Sequence, residues 1–298
     1  MKKRNELEKI MFHPTGSDLK PYEWMVNPTP QQEWIDRKGI FLWLAFFFTE
    51  IGAGLYFISL FYQYQTGLIL GWLIALILGG GVHVLYLGNP MRAWRMLMKP
   101  RTSELSRGMW IIGVFAALGF IQIVTSNYNP IFNVIMGILT LLIISHGFMT
   151  MNVIRALPAW SSTMVIPLSI ISGGWIGCQM FQFMAALGGN LAAQSFELWA
   201  EVLLVVYFVS VLLYIWGTYH ASEVAKESID RMLKGDLAKY FYGVVVFIGF
   251  IIPLLITFKM WGGNINAGLI FIRLIFIFAG DLAMRYIIMK SAMYPPLL

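Results

Sequence analysis

The chain has 298 residues, of which 58% are hydrophobic and only 12% charged, with a mean hydropathy of +0.71. That balance excludes a soluble globular core and belongs to a protein whose surface faces lipid. Cys178 is the only cysteine, so the chain forms no internal disulfide and supplies no four-cysteine iron–sulfur site of its own; any electrons it handles are brought by another subunit.

Residues 1–38 form a charged, proline-bearing extramembrane segment without the layout of a cleavable signal peptide. Beyond it, a transmembrane helix needs about 20 mostly apolar residues. Eight runs qualify, at 39–61, 67–87, 108–126, 131–151, 162–187, 196–219, 240–258 and 267–288. The expected fold is all-α and integral to the membrane, one eight-helix domain over 39–298. The similar strings "GFMTMNVI" at Gly147 and "GDLAMRYI" at Gly280 hint at two four-helix bundles.

Eight spans put both termini and the even-to-odd loops on one side, here the tail side. Of the 21 Lys and Arg, 19 fall there, leaving Lys259 and Arg273 elsewhere. The positive-inside rule then makes the tail side cytoplasmic, with both termini inside the cell's inner (plasma) membrane. The net charge of +6 reads as this topology signal and does not point to nucleic acid.

Four of the 15 acids, Glu50, Glu197, Glu201 and Asp281, lie inside spans. At the bilayer centre each costs roughly 2.5 to 3.5 kcal/mol on insertion scales, so each needs either a buried partner or a function. Glu197 and Glu201 lie near the far face with Arg273 at similar depth, and Asp281 and Arg285 are four apart on one helix face. Glu50 is mid-helix with no base in its own span. All four are candidates for proton transfer, in steps from Glu197 and Glu201 through Glu50 to Asp281. The glycines at 52 and 54, 79 to 81, and 173, 174 and 177 read as small-residue faces for close helix packing.

The stretch "HVLYLGNPMRAWRML" carries His83 at the end of the second span, a Gly-Asn-Pro turn, then Arg92, Trp94 and Arg95 at helical spacing, the pattern of a short amphipathic segment lying in the interface. "KPRTSELSRGMWI" returns to the membrane with Arg107 at its entrance, so His83, Arg92, Arg95 and Arg107 share one depth. Cations and an imidazole at a span's mouth suit an anionic or carbonyl-bearing headgroup.

Gly88-Asn89-Pro90 with Arg92 and Trp94, then Pro100, Thr102-Ser103, Ser106 and Gly108-Met109-Trp110, resembles the "LGxPxRxWxxxxxPxTSxxSxGxW" signature of the NrfD/PsrC family, the membrane subunits of polysulfide reductase and related complexes. The eight spans and the closing "RYIIMKSAMYPP" are similar too. Residues 40–48, wholly apolar here, depart from the polar groups of polysulfide-reductase relatives. The resemblance implies a subunit that exchanges electrons and protons with a menaquinone or other quinone, with no haem, iron–sulfur cluster or metal of its own. It also implies partners: a ferredoxin-like subunit with four iron–sulfur clusters, and a molybdopterin or other catalytic subunit. On this reading His83, Arg92, Arg107 and His146 are quinone-contact candidates.

Two alternatives stand beside it. His83, His146 and His220 lie near tail-side ends of even-numbered spans, where two of them could clasp a b-type haem in a cytochrome anchor. Glu197 and Glu201 with Arg273 could instead line an ion or solute path in a transporter.

Overall fold

The computed structural model describes residues 23–188, 192–260 and 266–297, with backbone only for 23–24 and 192–197. Among the described residues, eight helices are long and apolar enough to cross a membrane. They are α1 (Gly39–Phe61), α2 (Gln65–Tyr86), α3 (Glu104–Thr125), α4 (Pro130–Asn152), α5 (Val165–Leu187), α6 (Ala192–Tyr219), α7 (Ala238–Met260) and α8 (Ala267–Ser291). The chain is a multi-pass, all-α membrane protein.

Helix ends differ from the sequence expectation where polar caps override hydropathy. α3 begins at Glu104 because Ser103 accepts from the Ser106 amide, and α4 begins at Pro130 because Asn129 accepts from the Ile131 amide.

The packing order of the first four helices repeats in the last four. α1 packs on α2 and α4, and α3 on α4; likewise α5 packs on α6 and α8, and α7 on α8. The two halves join where α1 lies on α5, with α4 against α5 and α8 against α1. This seam is made by glycine: a Cβ on Gly54 would lie 2.0 Å from the Gly173 carbonyl oxygen, and one on Gly177 2.3 Å from the Gly54 backbone, so the backbones touch directly. Gly52 packs similarly on α2. Gly80, Gly81 and Gly174 face open space, so the expectation that every glycine of these clusters serves packing does not hold.

On the tail side the second half carries a structured cap. β1 (Thr29–Pro30) pairs antiparallel with β2 (Met293–Tyr294). Gln31 donates to the Met289 carbonyl at 2.7 Å, and Lys290 bonds Asp36 at 2.6 Å. The surface helix Glu223–Leu233, capped by Ser222, packs on α6 and α8, with Arg231 donating to the Lys290 carbonyl at 3.1 Å.

Candidate functional site

α2 changes its winding on the way to the tail side. Over Ile74–Gly80 it loosens into i→i+5 hydrogen bonds, a device that re-aims a helix and recurs at functional sites. Here Gly79 sits against the Thr49 backbone of α1, which draws the tail-side end of α2 toward α1. The result is an open-mouthed cleft within the first half, with a cavity volume of about 130 Å³. Its walls include Phe46 and Thr49 of α1, Gly80 and Val84 of α2, Met109 and Ile112 of α3, and Ile143 and Ile144 of α4.

The 3₁₀ segment Pro90–Met98 roofs the cleft. Ala93 and Met96 are one 3₁₀ turn apart and therefore share its inward face, while Trp94 and Met91 point outward, 57% and 86% exposed. The roof is tied down by the Trp110 indole, which donates to the Leu97 carbonyl at 3.1 Å, and by the Lys99 amide, which donates to Ser106 Oγ at 3.2 Å.

His83 and His146 both line this cleft. At about 1.5 Å rise per residue they lie roughly 5 and 9 Å in from the tail-side ends of α2 and α4. Among the described residues neither imidazole hydrogen-bonds to the protein; the His83 ring lies 6.4 and 6.3 Å from the rings of Phe46 and Tyr86. His146 is held sterically: a Cβ on Gly108 would lie 1.8 Å from its Cε1. The glycine of the "SRGMW" motif is therefore where it is because an imidazole occupies the space a side chain would need. Two neutral-capable rings with uncommitted nitrogens in an apolar slot can donate to, or accept from, carbonyl or hydroxyl oxygens of a flat apolar molecule.

The two arginines expected beside them are placed elsewhere. Arg107 is turned to the roof hinge, paired with Glu104 and donating to the Pro100 carbonyl at 3.0 Å. Arg92 is exposed on the outer face of the roof, and Arg95 lies over the Trp94 ring at 5.7 Å. None of the three lines the cleft. A shared depth in the sequence did not bring them together, because the segment's 3₁₀ winding turns its charged face to the headgroups.

A second polar cluster lies deeper, at the seam between the halves. Arg285 of α8 grips both carboxylate oxygens of Glu50 in a fork and donates through Nε to Asp281 Oδ2 at 2.6 Å. Ser172 of α5 accepts from Arg285 at 2.9 Å and donates to Asp281 Oδ1 at 2.6 Å, and Tyr207 of α6 donates to the same oxygen at 3.0 Å. Phe148 and Phe47 lie over the guanidinium at 5.6 and 6.0 Å, and Tyr207 stacks on Trp175 at 4.8 Å. All three charged groups are buried. Glu50 lies about 16 Å and Asp281 about 15 Å from the tail-side ends of their helices, the same level.

This arrangement bears on three expectations. Arg285 belongs to the buried cluster and not to the tail-side charge count, which becomes 18 of 21. Glu50 does have a base, supplied from the opposite end of the sequence. Glu50 and Asp281 share one guanidinium at one level, so they form a single cluster and not successive steps of a ladder.

Of the remaining candidates, Glu201 lies near the far face within the field of Arg273, while Arg273 donates to Thr257 Oγ1 at 2.8 Å and to Gln182. The Glu197 side chain lies outside the described residues. His220 is engaged by the Trp216 carbonyl at 2.8 Å and does not line the cleft. Gly108 stands in the sequence signature, whereas Ser172, Tyr207 and Thr49 belong to no motif. The fifth span offers both Ser169 and Ser172 and the sixth Tyr207, Tyr214 and Tyr219, so residue type alone does not pick out the two that bond the cluster.

No protein-family model matches the chain. Among curated proteins, it is similar to a subunit of the sulfite dehydrogenase of Allochromatium vinosum, 24% identical over 269 aligned residues that cover 75% of this chain and 82% of the relative.

Proposed function

We propose that the chain is the quinone-reactive membrane subunit of an oxidoreductase complex, exchanging electrons and protons with a menaquinone-type pool. One observation carries the reading: two imidazoles without hydrogen-bond partners among the described residues converge on an apolar, roofed cleft at the depth where a lipid-soluble ring would rest. The similarity to a protein named as a dehydrogenase subunit agrees with a redox role in a multi-subunit assembly.

A quinone–quinol couple supplies two electrons and two protons at its ring oxygens. The chain's own contribution is to hold that ring between Phe46, Met109 and Ile144, to orient its oxygens by hydrogen bonds to His83 and His146, and to keep water out with the Pro90–Met98 roof. The imidazoles are the first proton carriers. Behind Thr49 and Ile144, the cluster of Glu50, Asp281 and Arg285 holds one more acid than base and serves as the next station.

Replacing His83 or His146 with Leu should abolish quinol-linked turnover while the complex still assembles. Normal turnover in both variants would contradict the reading. The convergence of two imidazoles also favours a second reading, a b-type haem; a reduced-minus-oxidised spectrum of the purified protein with a haem α-band would establish it.

Electron transfer needs a short gap, so the partner, a ferredoxin-like iron–sulfur subunit serving a molybdopterin or other catalytic subunit, docks on the tail side over the roof segment 90–107 and the strap of residues 25–38 that precedes α1. The lysine and arginine bias makes that side cytoplasmic. A reporter fused after Leu298 that is active only outside the cytoplasm would overturn the orientation, and crosslinks from the partner confined to the far-side loops would overturn the docking face.

A further inference from the structure

The first half is closed at one end of the α2–α3 boundary and open at the other. Toward the far side the two helices are stitched: Gln65 donates to the Ile123 carbonyl at 2.6 Å, Trp72 to the Ala116 carbonyl at 3.2 Å, and a Cβ on Gly119 would lie 2.7 Å from the Trp72 ring. Toward the tail side the i→i+5 stretch Ile74–Gly80 draws α2 onto α1 through Gly79, and the cleft occupies the widened space between α2 and α3.

Val84 marks the edge of that space, because it lines the cleft and is also 50% exposed on the lipid-facing surface. Beside it on α2, Gly80 and Gly81 have nothing within 4 Å of where a side chain would begin, and neither has Gly113 on α3. The surrounding exposed residues, Ile77, Leu85 and Val114, are aliphatic, and the roof above carries Trp94 and Met98 outward at the headgroup level.

We infer that the gap between the tail-side halves of α2 and α3 is a lateral portal, through which an isoprenoid-tailed ligand enters the cleft directly from the bilayer and in which its tail remains while the ring lies between the histidines. The occupant follows from the continuity of the cleft with an aliphatic, lipid-facing surface: a water-soluble ligand gains nothing from it, whereas a tail of many apolar carbons does. The glycines keep the sill free of side chains, which explains why Gly80 and Gly81 stand on a helix surface where they make no packing contact.

The inference rests on the quinone reading for its ligand but is tested separately from it. In the assembled complex in lipid nanodiscs, Gly81→Trp puts an indole on the sill from a position whose Cβ has nothing within 4 Å. It should raise the KM for long-tailed menaquinol by about tenfold or more and leave turnover of tail-less menadiol within about twofold. Equal effects on both substrates, or no effect on either, overturn the portal.

A second measurement does not depend on the substrate. A nitroxide attached at Val84→Cys, in a Cys178→Ala background, should collide with bilayer-dissolved oxygen and not with a water-soluble nickel chelate. Strong nickel broadening would mean that the mouth opens to water and would overturn the portal. If His83→Leu leaves both quinols turning over normally while the nitroxide reads as lipid-facing, the assigned chemistry fails and the portal stands.

Discussion

The two halves of the molecule repeat one packing order and use it for opposite ends. In the first half, α2 and α3 part toward the tail side, and two imidazoles are left facing an apolar cleft with no protein partner among the described residues. In the second half the corresponding region is closed by the strap, the β1–β2 pair and the Glu223–Leu233 helix. Its buried charges are bonded to one another: Asp281 takes bonds from Arg285, Ser172 and Tyr207 at once. The difference teaches that the polar groups of a membrane interior sort by satisfaction. The bonded charges at the seam hold the halves together, and the two imidazoles that line an open apolar cleft are placed to meet another molecule.

The sharpest break of that contrast removes the second half's cation. Arg285→Leu leaves two buried carboxylates facing each other, and losing one partner of a buried ion pair costs about 3 to 5 kcal/mol. The complex should lose much of its assembled fraction and unfold at markedly lower temperature in detergent, whereas Arg285→Lys, which keeps the charge and loses the fork, should fall between that variant and wild type. Unchanged thermal unfolding of Arg285→Leu would show that the cluster is not structural.

In the first half the corresponding experiment should damage activity and spare the fold. Gly108→Ala places a methyl 1.8 Å from His146 Cε1, so the ring must move. A displacement of about 1 Å at a reacting centre costs on the order of a hundredfold in rate. Quinol-linked turnover is expected to drop by that order, with assembly and unfolding temperature close to wild type. Equal loss of stability and activity would make His146 a packing residue.

The smallest effect is expected at the cap of the second half. Asp36→Asn removes the charge pairing with Lys290, a partly exposed pair of a kind typically worth about 0.2 to 1 kcal/mol. Thermal unfolding should shift by no more than a few degrees and turnover should be unaffected.

Much of the architecture is legible in the sequence because a span must bury its backbone in apolar residues, so hydropathy reports α1 to α8 directly. The amphipathic roof is legible too, since Arg92, Trp94 and Arg95 give it away. The buried cluster is only half legible. Asp281 and Arg285 are neighbours on one helix and can be paired by counting, but Glu50 is 235 residues from Arg285, and no local pattern joins them. The loosened turn of α2 is not legible in composition: the Gly-Gly pair that ends "IALILGG" weakens the helix, but its winding is set by where Gly79 meets α1. Arg107 misleads for a similar reason. Depth in the membrane can be read from the sequence, but azimuth around the bundle cannot, and azimuth decides that Arg107 turns to Glu104 while His146 turns to the cleft.

The central claim is that a quinone ring lies between His83 and His146. A photoreactive azido-quinone with an isoprenoid tail, irradiated with the assembled complex in nanodiscs and mapped by peptide mass spectrometry, tests it most directly. Label should concentrate on peptides containing residues 79–87, 105–112 and 143–147, and excess menaquinol should displace it. Displaceable label confined to the second half, or no displaceable label on any of these three stretches, would contradict the claim.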